Sequence, residues 1–133
     1  MSSALKILSK NTDNEYPQRI FELGKAFEKD KTGKEETGIS EPEKLCIAIA
    51  NTNANFTEIK QIFDYLARML NKEYSLENFT GNNHNFIEGR TAEIKVSNRP
   101  IGIMGEISPQ TLVNLGIKMP LAALEIDINE LIK

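Results

Sequence analysis

Apolar positions along this chain of 133 residues recur with helical spacing in some segments and in strand-like runs in others. The clearest helical segment follows Asn55, a favourable N-cap, with Glu58 three positions later as in a capping box. Apolar residues then recur at helical spacing, which predicts one face packed on a sheet. They are Ile59, Ile62, Phe63, Leu66, Met69 and Leu70.

Three shorter segments also carry helix signals. Residues 4–9 have leucines spaced for one helical face, and we interpret them as the end of a longer helix. The serine–proline pair at 108–109 is typical of an N-cap followed by the first helical position, and Gly116 predicts the C-cap. Asp127 is predicted to cap a terminal helix that runs to Leu131.

Strand formers dominate most of the remaining chain. The run at 44–51 is continuously apolar, which is consistent with a strand buried on both faces. In the run at 101–107, the glycines at 102 and 105 predict a bulge or a close approach by another backbone. The predicted strands cover residues 18–27, 44–51, 74–79, 90–96, 101–107 and 121–126.

The connections between these strands are short or polar. Residues 29–42 predict a solvated hairpin connection, and turns are expected at 81–84 and 98–100. Several strands, few helices and tight turns together predict an antiparallel sheet with helices on one face, an α+β fold. The length fits one domain covering residues 1–133.

Composition excludes several classes of function. The formal net charge is −3 and the pI is about 5.3, which argues against broad electrostatic binding to nucleic acid. No apolar stretch is long enough to span a bilayer, and residues 1–10 do not have the pattern of a signal peptide. We therefore expect a cytoplasmic protein without a membrane partner.

Metal and nucleophile chemistry have little support in the sequence. Cys46 is the one cysteine and lies in an apolar run, so we interpret it as a small buried hydrophobe. His84 is the one histidine and has no neighbour at ligand spacing, which predicts no metal site. Ser108 is explained by its capping role.

Carboxylates in or beside predicted strands are the remaining candidates for chemistry, because charged residues rarely point into a core. They are Glu22, Glu88, Glu93 and Glu106. One interpretation is that they line the solvated face of the sheet. The other is that Arg90, Glu93 and Glu106 line a cleft that binds a small substrate.

Four blocks in a fixed order resemble the last part of the phenylalanine–tRNA ligase beta subunit, of the archaeal or eukaryotic type. The resemblance runs from about Leu5 to Leu131, and the segment from GEISP to MPLAALEID is its most diagnostic part. The blocks are YPQRIFELGKAF, LCIAIANTNANFTEIKQIFDYL, HNFIEGRTAEIKV and IGIMGEISPQTLVNLGIKMPLAALEIDINEL.

The resemblance implies a class II synthetase core, an antiparallel sheet flanked by helices, here in truncated form. In this family the alpha subunit carries the active core and the beta subunit carries a diverged copy. Residues 18–27 and 45–51 resemble the two strands of class II motif 2, and residues 121–131 lie where motif 3 is expected. The family's editing domain is absent, so we expect the chain to be a fragment of a longer beta subunit.

The departures from an active core predict a module without catalytic residues. The motif 2 arginine that holds ATP is replaced by Glu28, whose carboxylate repels phosphate. Motif 3 supplies a second arginine in active enzymes, but no arginine follows Arg99 here. We expect no cofactor in this segment, and ATP and magnesium only in the whole enzyme.

The resemblance also implies partners. The alpha subunit is the expected protein partner, and tRNA is expected to be bound through the holoenzyme. Candidate interface residues are Leu5, Leu8, Arg19, Phe21 and Leu23. The alternative hypothesis is a free-standing paralogue that binds a small ligand or forms a homodimer.

Overall fold

The computed structural model describes residues 2–11, 15–25, 28–29, 39–40, 43–81, 83 and 85–133. The strands are β1 (Gln18–Lys25), β2 (Glu28–Lys29), β3 (Ile39–Ser40), β4 (Glu43–Ala50), β5 (Ser75–Asn78), β6 (Phe86–Val96), β7 (Arg99–Ile107) and β8 (Leu121–Asp127). The helices are α1 (Ser2–Lys10), α2 (Phe56–Met69), α3 (Pro109–Leu115) and α4 (Ile128–Ile132).

Six strands form one antiparallel sheet in the order β1-β4-β8-β7-β6-β5, and β2 pairs with β3 separately. The α+β prediction is confirmed. The expectation that the helices lie on one face is wrong, because α2 and α4 cover one face while α1 and α3 cover the other. Alternate residues of β4 and β8 point to opposite faces, so both faces of these central strands need a cover.

The two faces have separate hydrophobic cores. On the first face, Ile59 and Phe63 of α2 are fully buried against strand residues such as Ile49, Met104 and Leu124. On the second face, Leu5 and Leu8 of α1 pack with strand residues of the opposite parity, Ala48, Ala50, Leu121 and Ala123. The continuous apolar runs of β4 and β8 follow from this double burial.

The predicted caps at Asn55, Gly116 and Asp127 are confirmed, but the Glu58 carboxylate bonds the Asn51 side chain in place of the Asn55 backbone N–H that a capping box uses. The Asn55 side chain accepts a hydrogen bond from the Glu58 backbone N–H at 2.9 Å, and the Glu58 carboxylate accepts one from Asn51 Nδ2 at 3.1 Å. Gly116 closes α3 in the left-handed conformation at φ 70°. Asp127 Oδ1 accepts from the backbone N–H groups of the first turn of α4, at 3.0 and 3.3 Å. These bonds satisfy donors that a helix start leaves unpaired.

Two local predictions need correction. The turn at 98–100 is instead made by Ser97 and Asn98, both at positive φ, and β7 begins at Arg99. A two-residue turn of this conformation follows the twist of its strands, so no third residue is needed. The apolar stripe of α2 does not bury its last turn, because Met69 is 67% exposed. Ala67 occupies the buried position instead.

Gly102 and Gly105 mark close approaches, as predicted. A Cβ on Gly102 would lie 2.1 Å from the Glu125 carbonyl oxygen, and one on Gly105 would lie 2.6 Å from the Arg90 carbonyl oxygen. Both glycines lie in β7 between two neighbouring strands, where only the missing side chain lets the backbones pack at this distance.

Candidate functional site

Arg90 and Glu106 are brought together by the structure, but Glu93 is not. Arg90 Nη1 lies 3.2 Å from Glu106 Oε1 across β6 and β7, and Glu106 Oε2 accepts a bond from the backbone N–H of Phe56 at 3.4 Å. The Glu106 carboxylate therefore sits at the start of α2, where the partial positive charge of a helix N-terminus stabilises it. This arrangement holds α2 on the sheet.

Glu93 lies on the opposite face. Its neighbours Ala92 and Ile94 pack in the core under α2, so strand alternation turns Glu93 away from them. There it lies 3.8 Å from the Lys95 ammonium. The three residues expected to line one cleft thus belong to two faces of the sheet. Alternation along the predicted strand 90–96 already sets Arg90 and Glu93 on opposite faces, whereas the position of Glu106 depends on strand register.

The face that carries Glu93 has a row of side chains that includes four carboxylates. Glu22 and Glu93 are among the candidates from the sequence, whereas Glu125 and Glu77 are not. Register pairs join one residue from each strand across the six-stranded sheet. This row is recognised only when the register of neighbouring strands is known. From β1 to β5 it consists of Glu22, Cys46, Glu125, Ile103, Glu93 and Glu77.

Electrostatics on this face disfavour anions. The Glu22 Oε2 atom is buried with no hydrogen-bond partner among the described residues. Burial, supported by the Glu125 and Glu22 carboxylates, raises the pKa of the Cys46 thiol to about 11. Cys46 therefore stays protonated near neutral pH and is a poor nucleophile, as a buried structural cysteine should be.

Two cations, one on each face of the sheet, are paired with carboxylates. Lys95 lies 2.7 Å from Glu77, and this hydrogen-bonded partner raises the pKa of Lys95. Arg99, the last arginine of the chain, binds Glu130 at 2.5 Å and ties β7 to α4. Both cations are therefore engaged by carboxylates, whereas the phosphates of a nucleoside triphosphate need cations that are free to bind them. The side chains of Glu28 and His84 lie outside the described residues.

The described residues contain no group of three or more histidine, cysteine, aspartate or glutamate side chains arranged to hold a metal. Within those same ranges, no helix has the length and apolar character needed to cross a membrane.

An apolar groove lies on the α2 face between that helix and β1. Its volume is about 470 Å³, and β1, β4 and α2 form its three sides. Arg19 is its one charged lining residue among those described. The other lining residues are Ile20, Phe21, Leu45, Ile47, Ile49, Ile62, Tyr65, Leu66 and Met69.

The rim of this groove is unusually exposed for apolar side chains. Phe21 is 79% exposed and Leu23 is 58% exposed, both on β1, while Tyr65 and Met69 project from α2. Contiguous exposed apolar surface of this kind marks interaction sites on soluble domains. Sequence reasoning named Phe21 and Leu23 as interface candidates, whereas the α2 half of the groove was assigned to the core.

Leu5 and Leu8 must be withdrawn from the accessible interface candidates. They are 3% and 1% exposed, because α1 folds back on β1 and β4 and buries both side chains in the second core. Arg19, Phe21 and Leu23 are exposed on the α2 face of β1. The sequence showed the helical spacing of the two leucines but not which surface they meet.

Comparison with known proteins gives consistent results. The family described as "Phenylalanyl tRNA synthetase beta chain CLM domain" matches residues 1–128. The phenylalanine–tRNA ligase beta subunit of Thermococcus sibiricus is 47% identical over 126 residues, which is 95% of this chain and 22% of that protein. The corresponding subunit of Pyrococcus horikoshii is 44% identical over 98% of this chain and 23% of its own length. The chain therefore spans about a fifth of these relatives.

A solved structure agrees on the fold. The crystal structure of pyrrolysyl-tRNA synthetase from Desulfitobacterium hafniense matches with a TM-score of 0.75 and 14% sequence identity. The match covers 97% of this chain and 46% of that one.

Proposed function

Because this chain belongs to the phenylalanyl-tRNA synthetase beta chain CLM domain family, we propose that it is a synthetase-like module without catalytic residues, part of a phenylalanine–tRNA ligase beta subunit. Its role is to support assembly with the catalytic alpha subunit, which charges tRNA with phenylalanine. The observation that carries this proposal is the exposed apolar surface of β1 beside the groove under α2. A protein surface of this kind is stabilised when a partner covers it.

The lack of catalysis in this segment is supported by the charges on the sheet. Amino-acid activation develops negative charge on phosphate, and preorganised cations are its main stabilisation. Here the residues that cross the sheet include Glu22, Glu125, Glu93 and Glu77, and no arginine occurs after Arg99. ATP and magnesium are accordingly assigned to the alpha subunit of the whole enzyme.

The interface with the alpha subunit is assigned to Arg19, Phe21 and Leu23 together with the groove. This surface combines apolar side chains with one cation, which suits a protein partner better than a nucleic acid. The formal net charge of −3 gives no broad electrostatic attraction to RNA, so tRNA is bound through the holoenzyme. This role places the protein in the cytoplasm.

The assembly role is tested by producing the natural polypeptide that carries this chain together with the alpha subunit of the same organism. Light scattering on the eluate of a sizing column gives the mass of the complex. A stable complex, active in charging tRNA with phenylalanine, is expected. Failure of the two subunits to associate at micromolar concentration contradicts the role. A mass of two copies without the alpha subunit would instead support a homodimerising paralogue.

Lack of activity is tested separately with the chain alone. Exchange of radioactive pyrophosphate into ATP in the presence of phenylalanine reports adenylate formation. We expect no exchange above the level without enzyme, while the complex with the alpha subunit gives a robust signal. Phenylalanine-dependent exchange by the chain alone would overturn the assignment of catalysis to the partner.

A further inference from the structure

The outer edge of β1 has hydrogen-bonding groups that no described strand uses. All eight residues of β1 pair with β4 in an unbroken register from Gln18 to Lys25. In the six-stranded sheet β1 is terminal, so no second strand among the described residues pairs with its outer edge. About half of the backbone N–H and C=O groups of such a strand point outward. This edge can accept another strand.

The side chains of β1 favour such an addition. Its residues alternate along the strand, and Phe21 and Leu23 stand on the α2 face, next to the mouth of the groove. A strand added beside β1 would set its own alternate side chains within contact of Phe21 and Leu23. Side chains of an added strand would thereby cover two apolar residues that are 79% and 58% exposed.

The charges on β1 favour an added strand of a particular charge. Arg19 lies on the same face as Phe21 and Leu23, is exposed, and has no ion-pair partner among the described residues. Lys25 stands at the other end of β1, where its register partner is Glu43. Arg19 is the cation that lines the groove, so a carboxylate on the added strand near it would complement its charge.

A second copy of this chain meets like charges in the register centred on Glu22, although a register centred on Phe21 opposes none. Antiparallel pairing of β1 with itself about Glu22 sets Glu22 against Glu22 and Arg19 against Lys25. Like charges directly opposite each other on neighbouring strands destabilise the pair. An apolar strand that carries a carboxylate avoids both conflicts.

We propose that β1 is extended by an antiparallel or parallel strand of the alpha subunit, with apolar residues at alternate positions and a carboxylate that meets Arg19. This inference rests on the proposed assembly role and adds how the two chains join. The main chain supplies hydrogen bonds, and Phe21, Leu23 and the groove select the side chains.

Amide hydrogen exchange at single-residue resolution tests the strand addition. The natural polypeptide is compared free and in complex with the alpha subunit. Alternate amides within residues 18–25 should exchange at least tenfold more slowly in the complex, because only outward-pointing groups gain a partner. The amides of β5 at residues 75–78 are the control edge and should not change.

Charge reversal tests the carboxylate. Arg19→Glu should weaken the complex at least tenfold, and Arg19→Lys should retain most of the affinity, since a salt link needs only the positive charge. Lys118→Glu is the matched control, because Lys118 is exposed outside the groove and its replacement changes the net charge equally. Loss of binding in the control as well would show a nonspecific charge effect and overturn the proposed contact between Arg19 and a carboxylate of the added strand.

The outcomes separate the two proposals. A stable complex in which the β1 amides gain no alternate protection overturns strand addition and leaves the assembly role intact. Absence of any complex overturns both. Protection of β1 in a species with the mass of two copies, without the alpha subunit, overturns the choice of partner in favour of self-pairing.

Discussion

The two edges of the six-stranded sheet are built in opposite ways. At one edge β5 has four residues, three of them polar, and its Glu77 lies 2.7 Å from Lys95 of the neighbouring strand. At the other edge β1 has eight residues, unbroken by proline or a register shift, and carries Phe21 and Leu23 exposed.

Helix α2 adds to this contrast. On the β5 side, Tyr74 packs edge-to-face on Phe63 with ring centroids 4.7 Å apart, and its hydroxyl donates a hydrogen bond to Asp64. On the β1 side the groove of about 470 Å³ separates the helix from the strand. The helix is therefore tied down towards one edge and stands clear of the other.

The β5 edge is therefore protected against pairing, whereas the β1 edge is suited to pairing with a partner. Short length, charged side chains and a nearby cover are the means by which sheet proteins prevent unwanted pairing. The β5 edge is four residues long and its Glu77 is paired with Lys95, whereas the β1 edge is eight residues long and leaves Phe21 and Leu23 exposed beside its charged residues. A long strand edge with exposed Phe21 and Leu23 is open to unwanted pairing, and a partner that covers it would prevent that pairing.

Lysine substitutions at the two edges should differ most in their effect on binding to the alpha subunit. The double variant Phe21→Lys, Leu23→Lys should weaken the complex with the alpha subunit by more than about 100-fold, because charges would be buried without partners. Ser75→Lys with Asn78→Lys at the β5 edge, and Val113→Lys on α3, should leave binding unchanged. Titration of each variant with the alpha subunit, followed by light scattering, measures the affinity of the β1-edge variant and of the control variants. Equal losses from the two edges would refute the contrast.

Glycine replacements compare the centre of the sheet with its β1 edge. Gly102→Ala should lower the free energy of unfolding by about 3 kcal/mol, because its Cβ would overlap the Glu125 carbonyl and nothing there moves easily. Gly24→Ala in β1 has open space and should stabilise by about 0.5 kcal/mol, through a smaller entropy of the unfolded chain. Urea unfolding of the two variants gives both values. A large loss from Gly24→Ala would mean that the β1 edge is covered within this chain.

Removing one hydroxyl probes the attachment of α2 on the β5 side. Tyr74→Phe keeps the ring contact with Phe63 but removes the bond to Asp64, and we expect a loss of about 1–2 kcal/mol in unfolding free energy at pH 7. The Tyr74 hydroxyl, and next to it Lys60, lowers the pKa of the Asp64 carboxyl. Stability from this depressed pKa is present above the pKa of the unfolded state and is lost as pH falls through the folded-state value.

The pH dependence supplies the control for that variant. Urea unfolding from pH 7 down to pH 2 should show the difference between the natural chain and Tyr74→Phe shrinking as Asp64 becomes protonated. A difference that is constant over this range would mean that the hydroxyl acts without the carboxylate. Exchange of the β1 amides should be the same in both proteins, because the bond lies on the other side of α2.

The smallest effect is expected from the charges of β5. Glu77→Gln removes an exposed ion pair, and such pairs contribute little to stability. The midpoint of urea unfolding should therefore hardly move. Solubility is the relevant measurement, because a charged side chain at a sheet edge opposes pairing with other strands. Glu77→Val should raise light scattering on storage more than Glu77→Gln, since valine also adds an apolar strand former. A marked drop in unfolding midpoint for Glu77→Gln would show that this pair stabilises the fold.

Local elements were determined by the sequence itself. Asn55 starts α2, the serine–proline pair at 108–109 starts α3, and Gly116 ends it, because each cap depends on residues within one helical turn. The glycines of β7 likewise predicted a close backbone approach, although not which strand approaches. The family resemblance also came from the sequence alone, and the comparisons confirmed it.

Tertiary structure alone decided which of these features meet. It placed helices on both faces, buried Leu5 and Leu8, and set Glu106 beside Arg90 on the face opposite Glu93. Each result depends on which strands are neighbours and in what register, and those pairings join residues distant in the chain. A local pattern shows that a side chain is apolar or charged, whereas the packing of distant segments decides whether another part of the chain covers it.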